Sequence, residues 1–174
     1  MKLKFVMLLS ALLVLAACNS GSSSSENHLN SLVEANPEVK SEVEKLSKEF
    51  RDELSAPDME SIPFEAEEVT ATAQTKLEPN DVTLIYSKGN EQLSLMQRDV
   101  KGKEVSFGKT DVELENDIRA SFNDWESISE LTWMSENGNV MFGLRSVVPR
   151  NGNDEPMTKE ELVNVANSII DQRK

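Results

Sequence analysis

Asn137-Gly138 is the pair of residues that most restricts how this chain can fold. It interrupts an alternating run of side chains from Ile128 to Val147. Asn-Gly is the strongest short hairpin signal, because both central positions of a type I′ turn need φ > 0 and these residues tolerate it. A two-residue loop there pairs Trp133 with Phe142 and Leu131 with Leu144, and sets Glu130 against Arg145 on the opposite face. Apolar groups then meet on one side and opposite charges on the other, so the register is self-consistent. The competing three-residue loop with a glycine bulge puts Trp133 opposite Met141. It also turns Phe142 out of the core, since a one-residue slip exchanges the two faces of a strand. Met134 and Met141 share the charged face, part of which is therefore expected to be covered.

Other short segments carry the same period. Val69 to Leu77 is rich in β-formers and reads as a strand. Val82, Leu84 and Tyr86 alternate, Lys88-Gly89-Asn90 turns the chain, and Leu93 and Leu95 return. A loop at Lys88-Gly89 or at Gly89-Asn90 sets even residues of the first strand opposite odd ones of the second. Lys101-Gly102 marks a further turn leading to Val105 and Phe107. The alternation fails there, which points to a bulge or a strand covered on both sides.

Helical spacing flanks this β-rich middle. Asn36-Pro37-Glu38 supplies a capping Asn, Pro at the first helical position and an acid near the positive dipole end. Val39, Val43, Leu46, Phe50 and Leu54 continue it with spacings of 4, 3, 4 and 4. They predict one helix of about 18 residues whose apolar stripe packs on the sheet. A partner-binding helix or a coiled-coil stalk is the alternative, but two heptads are too few to specify a coiled coil. Leu29, Leu32 and Val33 predict a shorter helix before it. After a polar loop from Pro149 to Pro156, Thr158-Lys159-Glu160-Glu161 fits a capping box. It opens a final helix with Leu162, Val165, Ala166, Ile169 and Ile170 on its buried face. The plan is α+β: an antiparallel sheet with an N-terminal helix and a C-terminal helix packed on it.

The first residues carry a different signal. Lys2 and Lys4 precede an uncharged apolar run of 13 residues, Phe5 to Ala17. That lies inside the roughly 7–15 of a signal-peptide core and short of the roughly 20 that span a bilayer. The run ends in Leu15-Ala16-Ala17-Cys18, which resembles the bacterial lipobox: an aliphatic residue, two small residues, then cysteine. The resemblance implies that the Cys18 thiol is diacylated and that the chain is cut before it, the new amine often being acylated too. A thiol suits this role because sulfur is the nucleophile that accepts the lipid. Two or three acyl chains anchor durably where one binds only marginally.

The domains expected are a signal peptide over 1–17, a lipidated flexible tether over 18–27 and one globular α+β domain over 28–174. The tether, Asn19 to Asn27, holds Gly21 and the four serines Ser22 to Ser25, a flexible composition. The expected location is outside the cytoplasm, lipid-anchored to the outer face of the cell membrane. In a source with an outer membrane, that becomes the periplasmic side or the outer membrane. Cys18 is the only cysteine, which excludes internal disulfides and cysteine-ligated metal, so the core must hold by packing. Loss of residues 1–17 removes two lysines and takes the formal charge from −13 to −15. So acidic a surface argues against nucleic acid and stands off anionic lipid headgroups. With 38% hydrophobic residues, the chain is not a disordered tail.

The C-terminal third resembles a known family. Leu131-Thr132-Trp133, the Asn137-Gly138 hairpin, Phe142 and Leu144 on the return strand, and the run from Thr158 to Ile169 carry the likeness. They are similar to an uncharacterised domain family of low-GC Gram-positive lipoproteins and anti-sigma-type extracytoplasmic domains. That family reads Leu-x-Trp, an Asn-Gly turn, an aromatic return strand, and Glu-Glu-Leu-x-x-Ile-Ala-x-Ser-Ile. Val165 stands where Ile is usual and Phe142 where Tyr is common. The likeness runs over about 128–170 and thins back towards 60. It implies a fold more than an activity, since every resembling residue also has a core or capping role. It carries over no catalytic residue.

Candidate chemistry is sparse. His28 is the sole histidine and lies beside the tether, so neither a Ser-His-Asp arrangement nor a histidine metal site is expected. No glycine-rich phosphate loop appears. The 31 acids include no pair that the sequence selects for glycoside hydrolysis. Asp111, Glu113, Glu115 and Asp117 alternate, so an extended backbone points all four the same way and makes a candidate calcium site. The alternative is a solvated strand face that deters edge pairing. Asn151-Gly152-Asn153-Asp154-Glu155 superficially resembles a calcium loop, but its Gly comes too early for an EF-hand. No catalytic constellation and no cofactor are expected.

Three functions follow, in order of preference. The first is a binding or scaffold module at the cell envelope with a protein partner, the setting being envelope or sporulation signalling. The second is a carrier of an apolar ligand, and the third a carboxylate-based hydrolase. An apolar cavity favours the carrier, and convergent pKa-shifted carboxylates favour the enzyme. A closed core with exposed apolar patches favours the binder.

Overall fold

The alternating segments become strands and the 3.6-period segments become helices. The computed structural model describes residues 28–76, 78–106, 108–149 and 154–172. Its strands are β1 (Glu68–Gln74), β2 (Asp81–Lys88), β3 (Glu91–Asp99), β4 (Val112–Glu113), β5 (Arg119–Trp125), β6 (Ile128–Met134) and β7 (Val140–Val147). They form one sheet in the order β1-β2-β3-β7-β6-β5-β4, every neighbour antiparallel. Two meanders thus meet at the central pair β3–β7. The helices are α1 (His28–Ala35), α2 (Pro37–Val43), α3 (Lys48–Arg51) and α4 (Lys159–Asp171). Leu84, Tyr86, Leu93, Leu95, Leu131, Trp133, Phe142 and Leu144 form the floor of a closed core. The apolar face of α4 and the segments around α2 and α3 cover it.

The hairpin register is the one the residue pattern predicts. Trp133 pairs with Phe142, Leu131 with Leu144, and Glu130 with Arg145. The two aromatic rings stack with centroids 5.1 Å apart and planes 9° from parallel, a contact worth about 0.5–1.5 kcal/mol beyond burial. Arg145 Nη2 lies 2.6 Å from Glu130 Oε2.

The turn itself differs. Gly138 has φ +72, but Asn137 is not left-handed, so the turn is not type I′. The Ser135 N–H donates to Val140 O and the Gly138 N–H to Ser135 O, giving a four-residue loop from Glu136 to Asn139. Side chains close it: Asn137 Oδ1 accepts from Ser135 Oγ and from the Asn139 N–H, and Ser135 Oγ accepts from the Val140 N–H. Opening the loop by one residue on each side keeps the register unchanged.

The single long N-terminal helix is also corrected. α2 ends at Val43 in a tight turn, with Lys45 N–H donating to Glu42 O and Leu46 N–H to Val43 O. Ser47 is extended and restarts the helix as α3, its Oγ accepting from the Phe50 N–H. All five stripe residues are nonetheless buried. A straight helix follows one line, whereas the break lets the stripe wrap around a twisted sheet.

Residues 103–106 and 108–111 form no strand, so the extended segment expected at Val105 is absent; Phe107 and Leu77 lie outside the described residues. This connection passes over the outer sheet face, where a Cβ built on Gly108 would stand 3.0 Å from Ser121 Oγ. Ser121 and Thr132 are buried on that face, while Met134 and Met141 are half-exposed.

Both sheet edges are blunted. Asn36 Nδ2 donates to Val69 O at 2.7 Å, and the Ala73 N–H donates to Glu42 Oε2 at 3.0 Å. Side chains at the start and end of α2 thereby occupy backbone groups of edge strand β1, and the other edge, β4, is two residues long. The Lys45 hydrogen bond and then the Ala73 N–H hold the Glu42 carboxyl below its ordinary pKa.

Polar side chains inside the core fasten loops to the sheet. Gln97 is fully buried; its Nε2 donates to Ser55 O and its Oε1 accepts from the Ser55 N–H, both at 2.8 Å. Ser129 Oγ donates to Met157 O, and Ser146 Oγ accepts from the Met157 N–H. They place the start of α4, where Thr158 and Glu161 form the predicted capping box. Thr158→Ala should cost about 1 kcal/mol of stability. A denaturant midpoint unchanged from wild type would refute that role for the cap.

Candidate functional site

The β6–β7 hairpin spans the sheet, and each of its ends carries a surface feature. At the loop end, Glu53 lies beneath residues 136–139. Asn137 Nδ2 donates to both Glu53 carboxylate oxygens, at 3.1 and 2.9 Å, and Asn139 Nδ2 donates to Oε1 at 3.0 Å. Facing this loop is the β4–β5 turn, where Asn116 and Asp117 both have φ +57 and the Ile118 N–H closes onto Glu115 O. Short polar side chains tolerate the left-handed region better than others do. The Glu115 N–H donates to Asn167 Oδ1, binding this turn to α4. Gln172, after the last turn of α4, donates to Ala56 O and accepts from the His28 N–H. Together these segments enclose a half-open cleft of about 450 Å³ over Trp133, Phe142, Ile118 and Ile169.

At the opposite end lies the two-residue connection between β5 and β6. Trp125 is 51% exposed there, although the chain's other tryptophan, Trp133, is 1% exposed. Phe122 and Pro156 are half-buried in the same lining, with the buried Met157 beneath them. Asp124, Glu126 and Glu155 rim it, with Lys159 as the cation in the lining.

The sequence candidates are placed as follows. Cys18 lies outside the described residues, as do Asn151, Gly152 and Asn153 of the calcium-like loop. The extended row assumed for Asp111, Glu113, Glu115 and Asp117 does not form. The strand ends at Glu113, Glu115 to Asp117 make a turn, and the backbone turns left-handed at Asn116. Glu113 instead pairs with Arg119 at 3.1 Å. Among the described residues, no three His, Cys, Asp or Glu side chains are grouped to hold a metal ion, and no helix is long and apolar enough to cross a membrane. His28 begins α1 and contributes its backbone N–H to Gln172.

The cleft has no signature of its own in the sequence. Its walls come from five separated segments, and the available signal, three asparagines at loop positions 116, 137 and 139, reads equally well as turn chemistry. No protein-family model, no curated protein and no solved structure matches this chain.

Proposed function

We propose that this protein is an extracytoplasmic binding module, held at the membrane surface by lipid on Cys18 and engaging a protein partner through the surface around Trp125. The exposed indole carries the reading. The apolar side chains of the sheet's inner face are buried in the core, whereas the indole of Trp125 is not. A half-exposed Trp beside the half-buried Phe122 and Pro156 is the type of residue that anchors interfaces. Position favours the same reading. His28, where the tether joins, sits at the C-terminal end of α4, and the Trp125 surface includes Lys159 at its N-terminal end. α4 spans thirteen residues, about 20 Å of helix, between that surface and the residue where the proposed tether joins.

The test uses the full chain in its own cells. Wild type should incorporate labelled fatty acid and Cys18→Ser should not. A photo-crosslinking amino acid at position 125 should give one discrete adduct on intact cells, and the same group at exposed position 44 should give none. Equal labelling of Cys18→Ser would remove the anchor from the proposal. Identical adduct patterns from positions 125 and 44 would remove the partner surface.

A further inference from the structure

The cleft at the other end of the hairpin has the makings of a second site, independent of the Trp125 surface. We infer that it binds a basic peptide segment, taking one arginine or lysine side chain between its acidic rim and its apolar floor. Its volume of about 450 Å³ falls in the 300–1,000 Å³ range of ligand pockets. It has room for a few residues of an extended peptide, not for a folded partner.

The lining sets the charge. Asp52, Glu53 and Glu136 contribute carboxylates, Asn116, Asn137 and Gln172 contribute amides, and among the described residues no Lys or Arg lines it. Carboxylates around a concavity with low-dielectric walls focus a negative potential, which selects cations. The chain's formal charge of −13 strengthens that field. Asp52 does meet Lys48, one turn back on α3, but both side chains are largely exposed, and such a pair is worth little. Leu54, Ile118 and Ile169 supply the apolar wall against which the methylene stem of Arg or Lys packs while its head reaches the rim. The walls are also fixed before binding. Glu53 is held by two asparagines and the facing turn by Asn167, so little ordering remains to oppose association.

Trp133 forms part of the floor, and Trp125 is the chain's only other tryptophan. Trp125→Phe therefore makes Trp133 the sole indole reporter. Titrating this variant with N-acetyl-Leu-Arg-Leu-amide at low salt should give a saturable fluorescence change. The Leu-Gln-Leu counterpart should give none over the same range. Adding Glu136→Gln, an exposed loop substitution, should weaken the arginine peptide about fivefold, the scale of one exposed charge pair, and 0.5 M salt should weaken it further. Equal responses to the two peptides, no saturation with the arginine peptide, or unchanged affinity in Glu136→Gln would overturn the inference. So would an equal fluorescence response to calcium chloride alone, which would make the site one for a metal ion.

Discussion

Phe50→Ala should lower the unfolding free energy by about 3–5 kcal/mol, the range for deleting a buried aromatic side chain. Phe50 is buried in the core cluster although it belongs to a helix of only four residues, Lys48–Arg51. A helix that short has no stability of its own. Its single capping bond, from the Phe50 N–H to Ser47 Oγ, is too weak to hold it in place. Phe50 therefore acts as the peg that fixes α3, and with it the neighbouring Asp52 to Ser55 wall of the cleft. Neighbouring exposed positions provide the contrast, and Glu49→Ala should stay within about 0.5 kcal/mol. Urea denaturation of both variants measures the difference. A Phe50→Ala midpoint matching wild type would mean that the stripe is a free surface and not a packed one.

Gln97→Leu should cost about 2–4 kcal/mol despite nearly conserving volume. Gln97 is paired in register with Val82 on one side and Phe142 on the other. Its amide mimics a peptide group, donating to Ser55 O and accepting from the Ser55 N–H. Leucine removes both bonds while Ser55 stays buried, so each backbone group loses a partner at about 1–3 kcal/mol, offset by the added apolar burial. Gln97→Glu should be worse, because a carboxylate cannot donate to Ser55 O and would carry its charge into the core. Gln92→Leu, on the same strand but exposed, should be nearly neutral. Should Gln97→Leu unfold at the wild-type midpoint, the amide would have no part in holding residues 54–57 on the sheet.

What could be read from residues alone followed local periodicity. Val82, Leu84 and Tyr86 against Leu93 and Leu95, and Trp133 against Phe142, are pairings that alternation and a turn signal specify together, because a slip by one residue would expose an entire apolar face. Thr158 with Glu161, and Asn36 before Pro37, are capping signals that need no distant partner. The α+β plan follows from the same local signals.

Where side chains answer to distant groups, tertiary structure decided. Asn137 is left-handed in a free type I′ turn, but Glu53, far away in sequence, draws its amide into a wider loop. The stripe from Val39 to Leu54 has unbroken helical spacing, yet the chain bends after Val43 because burying every stripe residue on a twisted sheet outweighs continuing a straight helix. The acidic alternation from Asp111 to Asp117 has the period of a strand. It becomes a turn because Asn167 on α4 takes the Glu115 N–H and Arg119 takes Glu113. Gln97 and Ser55 are unremarkable in the sequence and form a buried pair only once β3 lies under that segment. Periodicity records which side of an element is apolar. It carries no information on which polar group, tens of residues away, will reach a given backbone N–H, and both the cleft and its walls depend on those contacts.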